Sequence, residues 1–266
     1  MPALNWHIAP PICRCHGGPA KPDLRDDRYR DSNGQLILAA QYSVSVSDCC
    51  TPKGYKQVFS ERGARNQART YRRSGLDPTS LRIVDLLKAA GVEGLTLLEV
   101  GGGIGAIQIE LLKAGLARAT SVELTPTYED SALELLREAG FVDRVERRVM
   151  DFVDAGAEVA AADIVVMNRV VCCYPDLSRL EGAAADHALH TLVMSFPKER
   201  WWTRALVWMA NLGMALTKRE FRIFLHPVAQ VWATGEAHGL HRSTSRAGVF
   251  WEIATMRRSR RQPSVV

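Results

Sequence analysis

The residues of this chain that are best suited to chemistry surround a run of glycines. A short apolar segment ending at Val100 leads directly into GGGIG, residues 101–105. Glycines such as Gly101, Gly103 and Gly105 allow positive φ angles and let the backbone approach a ligand closely. The residues that follow have the composition of a helix, and the first N–H groups of that helix would point into the same space. The pattern therefore predicts a small-molecule binding site at this turn.

Two acidic residues follow the next two predicted strands. Glu123 ends ATSVE, 24 residues after Glu99, and a carboxylate there can accept hydrogen bonds from both hydroxyl groups of a ribose. Asp151 follows the third predicted strand, where an adenine ring could lie across the strand ends. Because ligands of open α/β sheets bind beyond the carboxyl ends of the strands, we expect these residues and the glycine turn to form one nucleoside site.

Two cofactors fit such a turn. Gly101, Gly103 and Ala106 match the relaxed dinucleotide pattern G-x-G-x-x-G/A, which leaves an NAD-linked oxidoreductase open. Glu99 lies two residues before the first glycine, and an anion there would repel a pyrophosphate but attract the sulfonium or amino group of S-adenosylmethionine. At about 4 Å and an effective dielectric constant near 20, this attraction is of order 4 kcal/mol. The charge therefore favours S-adenosylmethionine.

The order of motifs resembles a known superfamily. LLEVGGGIG, VEL, VMDF and DIVVMNRVVCCYPD are similar to the successive motifs of class I S-adenosylmethionine-dependent methyltransferases, and the resemblance covers about residues 55–257. Within that superfamily, VVCCYPD and the later FRIFLHP resemble segments of the magnesium-protoporphyrin IX methyltransferase group. The resemblance implies a sheet of seven strands, the last of them antiparallel. It also implies that Gly101, Gly103 and Gly105 line the methionine part of the cofactor and that Glu123 binds its ribose.

The same resemblance implies roles for residues after the third and fourth strands. Asp151 and Phe152 would contact the adenine, and Asn168 and Arg169 would lie near the transferred methyl group. The chain departs from the porphyrin group at Cys173, where that group has a histidine. This departure keeps open a second alternative, a nucleoside-binding module without catalytic activity.

Methyl transfer from a sulfonium requires mainly orientation, because the leaving group is already activated. A carboxylate acceptor needs no base, whereas an alcohol or phenol needs one, and His or Tyr is a usual choice. We expect His226 to be the base or to orient the acceptor, and Arg222 to hold an acidic group of the acceptor. Tyr71 could close over the cleft. The alternatives are backbone hydrogen bonding for His226 and simple packing for Tyr71. We expect O-methylation of a small or medium-sized, apolar acceptor.

Alternating strands and helices must position these residues. A basic helix is predicted from Tyr55 to Arg73, and a second helix runs from its N-cap Asp77 to about Ala90. Five predicted strands then alternate with helices, which indicates a Rossmann-like α/β fold with a mostly parallel sheet and helices on both faces. A helical, Trp-rich cap, residues 197–226, is predicted to follow the fifth strand.

Composition divides the 266 residues into three parts. Residues 1–47 are rich in Pro, Gly, Asp and Arg and are predicted to form a weakly ordered extension. Residues 48–257 form the predicted methyltransferase domain, and residues 258–266 form a basic tail. No apolar run reaches the roughly 18 residues of a membrane-spanning helix, and the first residues lack the apolar core of a signal peptide. A cytoplasmic location is therefore the expectation.

The net charge of +5 comes from the C-terminal part, where residues 197–261 hold twelve Lys/Arg and four Asp/Glu. No aromatic and basic strand platform is visible there, so nucleic acid is not an expected partner. The tryptophans of the cap, Trp201, Trp202 and Trp208, leave three interpretations open: a core or homodimer interface, a wall of the acceptor cleft, and a peripheral membrane contact. The six cysteines lack the paired spacings of structural zinc, so no metal site is expected.

Overall fold

Seven strands form one sheet in the part of the chain that the computed structural model describes, residues 53–259. The strands are β1 (Thr96–Val100), β2 (Arg118–Glu123), β3 (Val145–Val149), β4 (Ala162–Asn168), β5 (Ala188–Pro197), β6 (Leu240–Ala247) and β7 (Trp251–Arg258). Their order is β3-β2-β1-β4-β5-β7-β6. Strands β1 to β5 pair in parallel, and β7 runs antiparallel to both β5 and β6. The structure thus confirms the mostly parallel, seven-stranded α/β fold.

Eight α-helices accompany these strands within the described residues. They are α1 (Tyr55–Val58), α2 (Glu61–Ser74), α3 (Pro78–Ala90), α4 (Ala106–Lys113), α5 (Glu129–Ala139), α6 (Leu177–His187), α7 (Trp201–Leu216) and α8 (Val228–Ala237). The Trp-rich segment after β5 is helical, as expected. The predicted extension, residues 1–47, and all but the first two residues of the predicted basic tail lie outside the described residues.

The central strands are buried on both faces, which explains their continuous apolar sequences. Leu97 of β1 packs in one apolar cluster with Ile83 of α3 and Leu111 of α4. The next residue, Leu98, points to the other face and packs in a second cluster with residues of α6 and α8, among them Leu180. Because both faces are covered by helices, β1 is fixed in the middle of the core.

The sheet reverses its winding direction at β1. Strands β2 and β3 lie on one side of β1, and β4 and β5 lie on the other. After β1 the chain crosses over to β2, and after β4 it crosses over to β5 in the opposite direction. A crevice therefore opens between the carboxyl ends of β1 and β4. This topological switch point is where open α/β sheets bind their ligands.

The predicted helix from Tyr55 to Arg73 is wrong as a single element. Phe59 adopts an extended conformation after α1, and Ser60 caps α2 by accepting a hydrogen bond from the N–H of Gly63. The ring of Phe59 instead packs against Tyr128 and Phe221, with 6.3 and 5.7 Å between the ring centroids. Side-chain burial at Phe59 and a good N-cap at Ser60 together outweigh the continuous helical propensity of the segment.

The N-cap of α3 is as predicted. The Asp77 carboxylate accepts hydrogen bonds from the N–H groups of Thr79 and Ser80, at 3.0 and 3.3 Å. Pro78 occupies the first helical position, where its lack of an N–H breaks no hydrogen bond within the helix. A helix that the sequence analysis does not assign, α6, begins in the same way, because Asp176 accepts a hydrogen bond from the N–H of Arg179.

Among residues 53–259, none of the helices combines the length and the apolar character needed to cross a membrane.

Replacing the α3 cap tests its contribution to stability. We expect Asp77→Ala to lower the free energy of unfolding by about 1–2 kcal/mol, because two helix N–H groups lose their acceptor. Asp77→Asn keeps an accepting oxygen and should lose less. Urea denaturation measures both variants against Asp85→Ala, an exposed aspartate within the same helix, which should change stability by about 0.5 kcal/mol or less. Equal losses for Asp77→Ala and Asp85→Ala would contradict the assignment.

Candidate functional site

A cavity of about 630 Å³ opens at the switch point of the sheet. Its walls are the glycine turn after β1, the ends of β2 and β4, the turn after β3, and residues from α1 to α3. The volume lies within the range of about 300–1,000 Å³ that is usual for small-molecule sites. The cavity contains the predicted residues Glu99, Glu123, Asp151 and Tyr71, which the fold brings together from four separate segments.

The glycine turn lies against the cavity with backbone angles that side chains rarely adopt. Gly103 has a φ of +58°, in the left-handed region that favours glycine. Its N–H donates a short hydrogen bond to the Glu123 carboxylate. The turn and the end of β2 are thereby joined at the point where the ligand would lie.

Glu99 lies directly beneath this turn and is only 1% exposed. A Cβ atom on Gly102 would come within 2.6 Å of its carboxyl carbon, so the glycine is required for the two groups to approach. The Oε2 atom of Glu99 is buried and has no hydrogen-bond partner. Buried polar atoms without a partner are rare in folded proteins, and a ligand is one explanation for them.

The ionisation of Glu99 differs from the sequence-based expectation of a permanent anion. Burial raises the pKa of Glu99 to about 8, although the positive charge of Arg147 acts in the opposite direction. Burial likewise raises the pKa of Glu123 to about 7, against the hydrogen bond from Gly103. Near pH 7 the Glu99 carboxyl is therefore mostly neutral, and a cation placed beside it would lower its pKa and favour the anion.

Arg147, which the sequence analysis does not identify, holds the glycine turn from below. Its side chain is 4% exposed and forms an ion pair with Glu129 at 2.8 Å. Its Nη2 atom donates a hydrogen bond to the Gly103 carbonyl at 3.1 Å, and its Nη1 atom donates one to the Ser121 hydroxyl at 3.3 Å. An arginine within strand β3 was the available signal, but its partners come from three other segments.

The turn after β3 supplies the next wall of the cavity. Asp151 accepts hydrogen bonds from the N–H of Val153 at 3.0 Å and from the Tyr174 hydroxyl at 3.3 Å. Burial raises the pKa of Asp151. Phe152 is buried, and its ring lies 5.1 Å from that of His187. Asp151 thus both caps a turn and lines the cavity.

Asn168 and Arg169 line the cavity at the end of β4, and both are held by neighbouring elements. Asn168 donates a hydrogen bond to Ser80 at 3.0 Å and accepts one from Ser195 at 2.6 Å. Arg169 has a φ of +63°, and its guanidinium forms a close ion pair with Asp77. The same guanidinium lies 5.2 Å from the centre of the Trp251 ring. These contacts fix the two side chains at the mouth of the cavity.

Asp77 is held in its ionised form by this arrangement. Burial acts to raise the pKa of Asp77, but the hydrogen bond from Ser80 and the positive charge of Arg169 outweigh burial and lower it. The ion pair at the cavity mouth is therefore charged on both sides near neutral pH.

His226 and Arg222 are not among the residues that line the cavity. The His226 Nε2 atom lies 3.0 Å from the carbonyl oxygen of Tyr174, and burial lowers the pKa of His226. Arg222 donates hydrogen bonds to the carbonyl groups of Arg219 and Phe221, at 2.5 and 2.7 Å. Both side chains are thus occupied by backbone groups, and the expectation that they face the acceptor has no support from their positions.

Tyr71 lines the cavity, and its hydroxyl donates a hydrogen bond to Glu110 at 2.7 Å. Burial raises the pKa of Tyr71 above its usual value, and the hydrogen bond to Glu110 acts in the same direction. The tyrosine is therefore a neutral hydrogen-bonding group near pH 7, and ionisation of its hydroxyl is disfavoured.

Aromatic residues that the sequence analysis does not place in the site form one end of the cavity. Tyr55, Phe59 and Tyr128 line it there, and we call them the aromatic wall. Phe221 packs behind them, with ring centroids 5.3 Å from Tyr55 and 5.7 Å from Phe59. The Tyr55 hydroxyl donates a hydrogen bond to the carbonyl of Cys173 at 2.9 Å. Tyr128 and Phe221 are distant in sequence from Tyr55 and Phe59, so no local pattern indicates that the four rings meet.

Cys172 and Cys173 are free thiols, and Cys173 lines the cavity. Within residues 53–259, no group of three or more Cys, His, Asp or Glu residues is arranged to hold a metal ion. Cys13, Cys15 and His16 of the extension lie outside the described residues.

The sequence is similar to those of known methyltransferases over part of its length. Residues 98–185 match a family model described as "Methyltransferase domain". Ribosomal protein L11 methyltransferase from Yersinia pseudotuberculosis is 30% identical over 95 residues, which are 36% of this chain and 31% of that protein. The protein of the same name from Yersinia pestis matches equally. The chain thus aligns with about a third of the length of these curated relatives.

The fold is similar to those of solved methyltransferase structures. Magnesium protoporphyrin IX methyltransferase from Synechocystis PCC 6803, with bound SAH, matches with a TM-score of 0.62 and 18% identity over 77% of this chain and 98% of that chain. An O-methyltransferase family protein from Burkholderia thailandensis matches with a TM-score of 0.58 and 21% identity, over 77% of this chain and 64% of that chain. Residues 98–185 are therefore similar to the methyltransferase-domain family, and the chain shares the fold of these solved methyltransferase structures.

Proposed function

We propose that this protein is an S-adenosylmethionine-dependent methyltransferase and that the cavity at the switch point holds the cofactor. The observation that carries the proposal is the buried Glu99 carboxyl, whose Oε2 atom has no partner beside a turn of glycines. A cationic or hydrogen-donating group of a ligand would satisfy this atom. The residues present therefore fit the cofactor, which supplies a methyl group on positively charged sulfur.

The residues around Glu99 divide the proposed cofactor site. We assign Gly101, Gly103 and Gly105 to the methionine part. Gly101 and Gly103 line the cavity, whereas a Cβ atom on Gly105 would meet the side chain of Gln108, so Gly105 would contribute by shaping the turn. Glu123 is assigned to the ribose, since its carboxylate lies at the end of β2 beside the turn. Asp151 and Phe152 are assigned to the adenine, with Asn168 and Arg169 beside the transferred methyl group.

The two buried carboxyl groups argue against a dinucleotide in the same cavity. A pyrophosphate at the glycine turn would lie near both Glu99 and Glu123, which line the same space. Any ionised fraction of these carboxyls would repel the pyrophosphate, because the effective dielectric constant in a partly buried site is well below that of water. The pyrophosphate also has no proton to donate to the partnerless Oε2 atom of Glu99. The NAD-linked alternative is therefore disfavoured by the chemistry of the cavity.

The aromatic wall supports an apolar acceptor. Tyr55, Phe59 and Tyr128 supply broad apolar faces at the end of the cavity, and such faces bind planar or hydrophobic molecules. We therefore propose a small or medium-sized acceptor with an apolar body.

The polar residues of the cavity support an acceptor oxygen that is already anionic. Among the described residues that line the cavity there is no histidine and no lysine, and Arg169 is the one cation. An alcohol would need a base to remove its proton, whereas a carboxylate would not. We propose O-methylation of a carboxylate, with Arg169 orienting the acid by exchanging part of its pairing with Asp77.

Calorimetric binding measurements test the cofactor assignment. We expect S-adenosylhomocysteine to bind one site per chain and NAD not to bind. Gly103→Val should abolish binding, because valine disfavours a positive φ and fills the space beside the turn. Glu123→Ala should weaken binding at least about tenfold, since one charge-assisted hydrogen bond contributes about 1.5–3 kcal/mol.

Gly140→Val is the matched control for backbone strain. Gly140 has a φ of +74° but lies at the end of α5 with nothing near its Cβ position. This variant should lose stability and still bind S-adenosylhomocysteine normally. Tight binding of NAD by the unmodified protein, or unchanged affinity in both Gly103→Val and Glu123→Ala, would refute the proposal.

Proton release tests the role of Glu99. A carboxyl with a pKa of about 8 in the free protein is mostly protonated at pH 7, and a neighbouring cation lowers that pKa. Binding of S-adenosylmethionine should therefore release protons, and its affinity should rise with pH by up to about tenfold per unit for each proton released, until the pKa of the free protein is passed. S-adenosylhomocysteine lacks the sulfonium charge and should release fewer protons.

Titrations at one pH in buffers of different ionisation enthalpy count these protons. In Glu99→Gln the difference in proton release between the two ligands should disappear. Equal proton release for both ligands in the unmodified protein would show that Glu99 does not respond to the sulfonium.

The chemical stability of the product tests the acceptor group. After incubation with methyl-labelled cofactor and a panel of apolar carboxylic acids, we expect the label to be released as methanol by mild alkali, because esters are hydrolysed and ethers are not. A matched panel in which the acids are replaced by the corresponding alcohols should remain unlabelled. Alkali-stable label would contradict carboxylate methylation without affecting the cofactor assignment.

A further inference from the structure

Helix α7 contacts the rest of the protein mainly through one narrow stripe, and in its first turn the Trp202 ring also packs against Phe250, with 5.9 Å between the ring centroids. Thr203 and Val207 are buried, and they are four residues apart on one side of the helix. Asn211, four residues further, donates a hydrogen bond to the carbonyl of Ile223 at 2.8 Å and accepts one from its N–H at 2.9 Å. Because residues at i, i+4 and i+8 lie on one side of a helix, these contacts fix which side faces the protein.

The remaining surface of α7 is apolar and exposed, which is unusual for a helix of a soluble domain. Trp201 is 81% exposed, Trp208 is 65% exposed and Leu216 is 77% exposed. We call the following residues the α7 face: Trp201, Leu206, Trp208, Met209, Leu212 and Leu216. It extends over the full length of the helix.

Basic residues flank both ends of the α7 face. Residues 198–222 contain six Lys/Arg and two Asp/Glu. Arg204 is paired with Glu199 at 2.5 Å, whereas Arg200, Lys218 and Arg219 form no ion pair within the described part of the chain and are exposed. An apolar helical surface with unpaired cations at its borders is complementary to a layer of anionic groups above a hydrocarbon interior.

We propose that the α7 face docks the protein on the surface of a bilayer that contains anionic lipids. The helix would lie in the plane of the membrane, with its tryptophans and leucines in the region between headgroups and acyl chains and its basic ends at the headgroups. A crossing orientation is excluded by length, because 16 residues rise about 24 Å and the hydrocarbon layer is about 30 Å thick.

The charges favour a lipid surface over a second copy of the chain. In a twofold dimer the same patch lies on both sides of the interface. Pairing two α7 faces would therefore bring the unpaired cations of one copy close to those of the other, whereas anionic headgroups neutralise them.

Co-sedimentation of the full chain with vesicles tests the proposal without any cofactor, so its outcome is independent of the proposed enzymatic function. We expect binding to vesicles of phosphatidylcholine with phosphatidylglycerol, much weaker binding to phosphatidylcholine alone, and release by high salt. The fluorescence of the exposed tryptophans should shift to shorter wavelength when the vesicles bind.

Variants separate the apolar and the electrostatic contributions to vesicle binding. The double variant Trp201→Ser, Trp208→Ser should lose at least about tenfold in partitioning. Lys218→Gln and Arg219→Gln should each lose about fivefold. Leu189→Ser is the matched control, because Leu189 is a 47% exposed leucine at the start of β5, outside the α7 face. Its partitioning should be unchanged.

Three results would overturn the proposal. The first is equal binding to both types of vesicle. The second is absence of binding to the anionic vesicles; a dimer, measured by light scattering, that the tryptophan variant dissociates would then identify a second copy as the occupant. The third is vesicle binding that appears only after residues 1–47 are deleted, which would show that this segment covers the α7 face.

Discussion

A carboxyl group that is buried at the end of the central strand determines how the site is built. Burial disfavours the charged form of Glu99, because an ion loses its hydration when it leaves water. The structure accommodates the group by keeping side chains away from it at Gly102 and by supporting the turn through Arg147. One oxygen is nevertheless left without a partner. The site is therefore organised around a carboxyl whose buried oxygen would gain an interaction partner when a cationic ligand binds.

Hydrogen bonds between elements keep the glycine turn and its surroundings in position before any ligand binds. Arg147 connects β3 to the turn and to α5, while Asn168 connects the end of β4 to α3 and β5 through two serines. Both networks use groups that are largely removed from solvent, where hydrogen bonds are strong and unpaired partners are costly. Arg147 and Asn168 belong to strands of the sheet. The glycine turn and the end of β4 are therefore held in place by the core of the protein.

The parts of the site that local chemistry determines could be predicted from the sequence. The glycine turn after an apolar strand, the cap at Asp77 and the acid at the end of β2 each depend on a few consecutive residues. The sequence was less informative where distant segments decide the outcome. Phe59 interrupts the predicted helix and packs on Tyr128 and Phe221, and the Tyr174 carbonyl beside His226 comes from a segment distant in sequence. The partners of Arg147 could not be predicted for the same reason, since spacing within one strand carries no information about them.

The segment after α7 connects the exposed helix to the cavity. Asn211 fixes this segment to the helix through Ile223, and two residues before Ile223 the ring of Phe221 packs behind Tyr55 and Phe59 of the aromatic wall. A force that reorients α7 would therefore act on residues that line the proposed acceptor end, while the cofactor end is attached to the strands. The position of the exposed helix and the position of the aromatic wall are thus linked through the same short segment.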